Sequence, residues 1–224
     1  HNIPGRALGE FAIRAGTFYA ETGVFEVRII GVGGHAAKPL VTVDPVVAAA
    51  QVVLGLQTIA SRSADPMGNV VVSVTSFETS TTAFNVIPGE VRLKGTVRTI
   101  GDAMADLTEE RFHQIVSRTA EAYGATAEIS YSRNYPAVVN SEDETGFAAD
   151  AARAVSGDCK EAEAAMWGED FSYFLDRIPG AFVFVGIGDS AALHHPSYDF
   201  NDQTAPFGAS FFARLIEEAL PLRR

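Results

Sequence analysis

The sequence predicts an α/β protein in which a ferredoxin-like β-α-β-β-α-β domain is inserted between two pieces of a partial α/β domain. Three observations carry this reading. Strand-like and helix-like segments follow one another over about residues 23–133 in the order β-α-β-β-α-β, the split βαβ arrangement. Phe182-Val183-Phe184-Val185-Gly186 is a short apolar run bounded by Gly180 and Gly186, as in a buried parallel strand. Helical patterns over residues 145–155 and 205–220 accompany that strand, and the segments outside the insert do not close on themselves.

The first strand covers residues 24–31, where Phe25, Val27 and Ile29 alternate with Glu26 and Arg28. A helix opens at Asp44-Pro45, a capping residue followed by a proline that fits the first turn. It runs to about Arg62, with Val52, Leu56 and Ile59 on one face. Residues 70–77 are rich in β-branched side chains and form the second strand. The third, residues 90–99, turns Val91, Leu93 and Val97 one way and Glu90, Arg92, Lys94 and Arg98 the other. Asp106 and Glu109 read as a capping pair ahead of the second helix. Phe112, Ile115, Val116, Thr119 and Tyr123 keep its spacing, and Gly124 suits the position after its end. Ala127, Ile129 and Tyr131 mark the fourth strand. Such a sheet is antiparallel, with both helices on one face. Residues 1–20 supply one or two short extended pieces. The expected division is 1–22, 23–134 and 135–224.

Composition narrows the function. Lys+Arg 17 against Asp+Glu 28 leaves a net charge of −11 over 224 residues. That argues against nucleic acid or an anionic membrane surface as partner, since both are bound through clustered cations. No run of 18 apolar residues is found, so no membrane span is expected. Cys159 is the only cysteine. It excludes an internal disulfide and a cysteine-rich zinc module, and it suggests a reducing, cytoplasmic compartment. The chain starts at His1 without a leader pattern and reads as cut from a longer one.

Several residues are candidates for chemistry. Gly31-Val32-Gly33-Gly34-His35 follows the first strand, but its spacing is not that of a dinucleotide-binding turn. Its glycines allow unusual backbone angles that bring His35 into the open, either as a turn residue or as an electrophile or proton donor. Residues 78–89 make a connection longer than a hairpin needs. Asn85 in it either caps a turn or presents an amide to a ligand. Arg98 is either a solvated strand residue or a bidentate grip on a carboxylate. Asp170, next to Glu169, caps a helix over residues 171–177 or belongs to a site. His194-His195-Pro196 follows the strand at 182–186, where loops of α/β sheets collect ligands. His113 is expected at the surface. A catalytic zinc needs three protein ligands and an open position. His1, His194, His195 and Glu169 or Asp170 are the candidates, without a clear bridging carboxylate.

His1-Asn2-Ile3-Pro4, Gly33-Gly34-His35-Ala36-Ala37-Lys38-Pro39, Asp44-Pro45, Asn85-Val86-Ile87-Pro88, Gly95-Thr96-Val97-Arg98-Thr99, Gly168-Glu169-Asp170-Phe171-Ser172 and Leu193-His194-His195-Pro196 occur in this order. Together they resemble the metal-dependent amidohydrolases that include hippurate hydrolase, N-acyl-amino-acid hydrolases and the plant auxin-conjugate hydrolases. The resemblance spans essentially the whole chain. Two motifs depart from it: Ser80-Thr81-Thr82-Ala83-Phe84 stands where a Gly-Gly-like stretch is usual, and Met166-Trp167-Gly168 where Met-Gly-Ser is. The family's amino-terminal half, with its Cys/His metal motif and Glu-Glu pair, has no counterpart here.

The resemblance implies that the flanking pieces are part of a zinc-peptidase-like α/β catalytic domain and that the insert is its lid. It implies two divalent ions, zinc or manganese, with His1 and His194 as ligands of an incomplete set. His35 would serve the tetrahedral oxyanion, across a homodimer formed through the lid. Asn85 and Arg98 would hold the free carboxylate of an N-acyl amino acid, and Glu169 and Asp170 would support the substrate site. With the base and most ligands absent, the chain alone is expected to be inactive. A related metallo-carboxypeptidase or aminopeptidase, and a non-catalytic dimerisation module, are the rival readings.

Overall fold

The structure is a computed structural model and describes residues 1–220. The chain begins with β1 (Asn2–Ile3), β2 (Phe11–Ile13) and β3 (Gly16–Tyr19). β4 (Glu21–Ile30) is followed by β5 (Gly34–His35) and α1 (Pro45–Thr58), which continues as a π-helical turn over Ile59–Ser63. β6 (Val70–Thr79), β7 (Val86–Ile87) and β8 (Glu90–Thr99) precede α2 (Asp102–Ala122) and β9 (Thr126–Arg133). Then come β10 (Val138–Asn140), α3 (Glu142–Ser156), β11 (Cys159–Glu161), α4 (Ser172–Leu175), β12 (Phe184–Gly186) and α5 (Ala205–Ala219).

Contacts divide these elements into two units. The inserted unit holds residues 20–137 together with 166–168; the other holds 1–19, 138–165 and the chain from Glu169 onward. The ends of the insert are stitched together by Thr22. Its N–H donates to Tyr135 O at 2.9 Å, its O accepts from Asn134 N at 2.7 Å, and its Oγ1 accepts from Tyr135 N at 3.1 Å. The contacts draw these ends at 19/20 and 137/138, against the expected 22/23 and 134/135.

The inserted unit is a four-stranded antiparallel sheet in the order β6-β8-β4-β9. The alternation seen in the sequence becomes its two faces. Phe25, Val27, Ile29, Val91, Leu93 and Val97 are buried against α1 and α2. Phe25 and Phe112 rings meet at 4.6 Å, and Phe112 and Tyr131 at 5.2 Å. Asp44 caps α1 as expected, its Oδ1 accepting from Val46 N at 2.9 Å. Gly124, with φ 75°, closes α2.

Two expectations need correction here. α2 starts at Asp102, not after a cap at Asp106 and Glu109. Gly101, with φ 89°, turns the chain into the helix, and its carbonyl takes the amides of Met104 and Ala105. Asp106 and Glu109 instead face Arg133 of β9 at 2.7 and 2.8 Å. His113 is half-buried, its ring 6.0 Å from Tyr131. Pro45–Ser63 passes a test of length and composition for crossing a membrane, which the core helix of a globular unit also passes. It carries Ala48, Ala49, Val52, Leu56 and Ile59 fully buried in the core, as a core helix does.

The other unit has a mixed sheet, β1-β12-β2-β11. β12 is parallel to β1 but antiparallel to β2, so the expected parallel strand is parallel on one side only. Phe11 and Ile13 of β2 pack with Ala148, Ala149, Ala152 and Phe211 of α3 and α5. Small side chains on α3 let the two helices come close. Ala12 points the other way, into a cluster with Phe18, Tyr19, Phe182 and Phe184. β3 and β10 form a separate antiparallel pair.

Candidate active site

In the unit containing the mixed sheet, His1 is held by main chain. Its nitrogen donates to Val183 O at 2.8 Å and its carbonyl accepts from Val185 N at 2.9 Å. The His1 imidazole meets Phe182 and Phe184 at centroid distances of 6.0 and 6.4 Å. Its Nδ1 lies 2.5 Å from Asn2 O. A carbonyl only accepts, so Nδ1 carries a hydrogen, as it does in the tautomer through whose Nε2 a histidine binds metal.

His1, Glu169, Asp170, Phe171 and Phe182 line one cleft of about 690 Å³, otherwise mostly apolar. Glu169 is half-buried, and burial raises its pKa; a hydrogen bond with Asp170 adds to this. The amide of Phe171 and the nearby His1 pull in the opposite direction. The Glu169 Oε1 accepts from Phe171 N at 3.3 Å. α4 covers only Ser172–Leu175 and has no side-chain cap, so the expected capping by Asp170 of a helix over 171–177 is corrected. Asp170 accepts the amide of Tyr173 through its main chain.

His194 lies in the loop after β12. Its φ of 65° makes it the one non-glycine residue with a left-handed backbone among the described residues. Such a conformation costs on the order of 1 kcal/mol and persists where surrounding structure imposes it. The loop is tied down by Ser190 and Asp199, and by Tyr198, whose hydroxyl meets Asn2 Oδ1 at 2.5 Å. His195 is spent locally, its Nδ1 accepting from Ser197 N at 3.0 Å. Among the described residues no three His, Cys, Asp or Glu side chains form a group able to hold a metal ion. The donors fit a divalent metal in kind, with an imidazole on His1, but not in number.

In the inserted unit, His35 and Asn85 come together. β5 pairs with β7 so that His35 faces Val86, and Ala36 N donates to Asn85 O at 3.0 Å. Both side chains are exposed. The glycines before His35 act by close approach and not by unusual angles. A Cβ on Gly31 would stand 2.1 Å from Val43 O, and one on Gly33 2.8 Å from Ile87 O, while neither has a positive φ. The expectation about their backbone angles is therefore corrected.

Arg98 is elsewhere. The tip carrying His35 and Asn85 adjoins the Glu90 end of β8, where Gly31 N donates to Gly89 O. Arg98 pairs with Thr22 near the other end. At ~3.4 Å per residue, about 27 Å of strand separates Glu90 from Arg98. One protomer does not bring Asn85 and Arg98 to a shared carboxylate. Arg98 is half-buried, donates from Nη1 to Val97 O at 2.9 Å, and has its pKa lowered by burial. No carboxylate pairs with it among the described residues.

Sequence reasoning missed Tyr19 and Asn140. Tyr19 is 4% exposed, and burial, then the Glu169 carboxylate, raise its hydroxyl pKa. It lies in a four-residue strand too short to show a period.

The model of peptidase family M20/M25/M40 matches residues 1–218. The chain belongs to this family. It is 33% identical over 215 residues to N-acetylcysteine deacetylase of Bacillus subtilis, covering 96% of this chain and 56% of that protein. It is 38% identical over 225 residues to IAA-amino acid hydrolase ILR1-like 2 of Arabidopsis thaliana, covering 95% and 50%. Hippurate hydrolase of Campylobacter jejuni is 32% identical, with 96% and 57% covered. The crystal structure of the Bacillus subtilis YXEP protein, described as a dinuclear metal binding peptidase, superposes with a TM-score of 0.81 at 30% identity over 98% of this chain and 56% of that one. This member of the family thus spans about half the length of the relatives it matches.

Proposed function

We propose that this M20-family chain carries the substrate-clamping residues and part of the metal site of an amidohydrolase that cleaves the amide bond of N-acyl amino acids. The observation that carries the reading is Arg98, a guanidinium partly withdrawn from water with no carboxylate against it among the described residues. Such a group favours an anionic ligand, and a planar carboxylate matches its fork. The names of the deacetylase, auxin-conjugate hydrolase and hippurate hydrolase relatives support an acyl amino acid as that ligand.

His1 and His194 would hold divalent metal, two ions of zinc or manganese, with further ligands outside the described set. When bound, that metal supplies Lewis acidity toward the scissile carbonyl. The rest falls to the chain's own groups. Arg98 holds the free carboxylate and so fixes which carbonyl is presented. His35, free on a projecting tip, donates a hydrogen bond to the oxygen that gains charge in the transition state. Asn85 orients the same end of the substrate, while Glu169 and Asp170 line the cleft and support His1.

Because the tip and Arg98 stand at opposite ends of β8, the reading places His35 and Asn85 in the site of a second copy. Leu40, Val41, Phe84 and Val86, close to them in sequence, are exposed, apolar surface that a homodimer formed through the inserted lid would cover. A cytoplasmic setting fits the single cysteine, Cys159.

The test is hydrolysis of N-acyl amino acids and of dipeptides with added Zn²⁺ or Mn²⁺. It compares this chain with a chimera joining the unmatched half of hippurate hydrolase ahead of His1. The chimera is expected to prefer acyl amino acids, and the chain alone to turn over neither. Preferred cleavage of dipeptides would replace the reading with a peptidase. Turnover by the chain alone would refute the division of the site proposed here.

A further inference from the structure

His1 is only as well placed as the segment 182–185 that holds it, and Phe182 and Val183 lie just before β12. The hydrogen bonds that fix Phe182 come from Asn140. The Phe182 N–H donates to Asn140 Oδ1 at 2.7 Å, and Asn140 Nδ2 donates to Phe182 O at 2.9 Å. The second hydrogen of Nδ2 goes to Arg14 O, also at 2.9 Å. Asn140 is 2% exposed. Its carboxamide therefore does the work of one residue of a neighbouring strand, offering a donor and an acceptor to both main-chain groups of Phe182. Both hydrogens of the Asn140 amide are used, and its oxygen has a partner.

The next residue, Val183, takes the His1 nitrogen, and the Phe182 ring flanks the His1 imidazole. We propose that Asn140 is a positioning residue for His1. Through Phe182–Val183 it sets the direction in which Nε2 is presented. This rests on the reading of His1 as a metal ligand, and it assigns the precision of that ligand to a buried amide outside the cleft.

Asn140→Asp and Asn140→Ala test it. The first keeps an acceptor for Phe182 N but turns an acceptor toward the two carbonyls that Nδ2 now serves. The readout is the His1 ring resonances in the folded protein, displaced in the wild type by the currents of Phe182 and Phe184. In both variants they are expected to move toward those of a mobile histidine. Zn²⁺ affinity, measured by titration calorimetry with the metal alone, should fall about tenfold or more. Unchanged His1 resonances in either folded variant overturn the proposal, because a merely stabilising Asn140 would lower the melting temperature and leave them in place. Should neither variant fold, amide exchange in the wild type decides. Phe182 N–H protected as well as Val185 N–H supports the proposal, and a freely exchanging one overturns it. Wild-type protein that binds no Zn²⁺ defeats the metal reading of His1, while the resonances still decide the role of Asn140.

Discussion

His194 stores backbone strain where the chain could have used glycine. His194→Gly should raise stability by about 1 kcal/mol, read from denaturant unfolding, because glycine adopts a φ of 65° without steric cost. The same change should weaken Zn²⁺ binding if the imidazole is a ligand. Gained stability with unchanged affinity would remove His194 from the metal set. His35 is the opposite case. It is exposed, with only its own turn to satisfy, so His35→Ala should alter stability by less than about 0.5 kcal/mol. In the active chimera it should cost turnover heavily. Both histidines were visible in the sequence through the motifs around them. Asn140 was not, because a single buried amide beside Val138-Val139 has the look of a turn residue, and its partners lie 42 and 126 residues away.

The elements of the inserted unit were legible because each strand keeps one face in the core for eight to ten residues, long enough for a period to show. Phe112, fully buried between Phe25 and Tyr131, is where this packing concentrates, and Phe112→Ala should cost about 3–5 kcal/mol. The flanking strands run two to four residues, so no alternation could reveal their pairing or the antiparallel side of β12. The start of α2 was misplaced because acidic residues at cap-like spacing were serving a partner remote in sequence. Arg133 gathers Asp106, Glu109 and Glu21. Glu21 has its pKa raised, first by burial and then by its acidic neighbours, against the pull of Arg133. A carboxyl raised in this way favours folding only while protonated and opposes it once the pH passes its folded value. Arg133→Ala removes the cation that compensates them. The variant should lose about 1 kcal/mol near neutral pH, and the loss should fade as the pH falls first through the raised pKa of Glu21 and then through the ordinary carboxylate range. Thermal melts of both proteins across that range give the answer; a loss independent of pH would assign Arg133 a packing role.

At the scale of the molecule, the separation of His35 from Arg98 along β8 makes a prediction about copies. In a twofold dimer each site would draw Arg98 from one chain and His35 from the other. Mixing inactive His35→Ala and Arg98→Ala chimeras should then restore about a quarter of wild-type activity, since about half of the dimers would be mixed and each would hold one intact site. Activity that stays at the level of the separate variants would place both residues in the site of one chain.

Met166–Gly168 belongs by its contacts to the inserted unit, although the residues on either side of it in sequence belong to the other. Gly168 lies so close to Thr22 that a methyl group there would come within 2.3 Å of Cγ2. Trp167 in this segment is the only tryptophan of the chain. Nature has in effect placed a single indole lamp in one of two rooms. Emission followed through denaturation should register the loosening of the insert alone, while far-ultraviolet dichroism sums over both, and any gap between the two curves measures how independently the halves come apart.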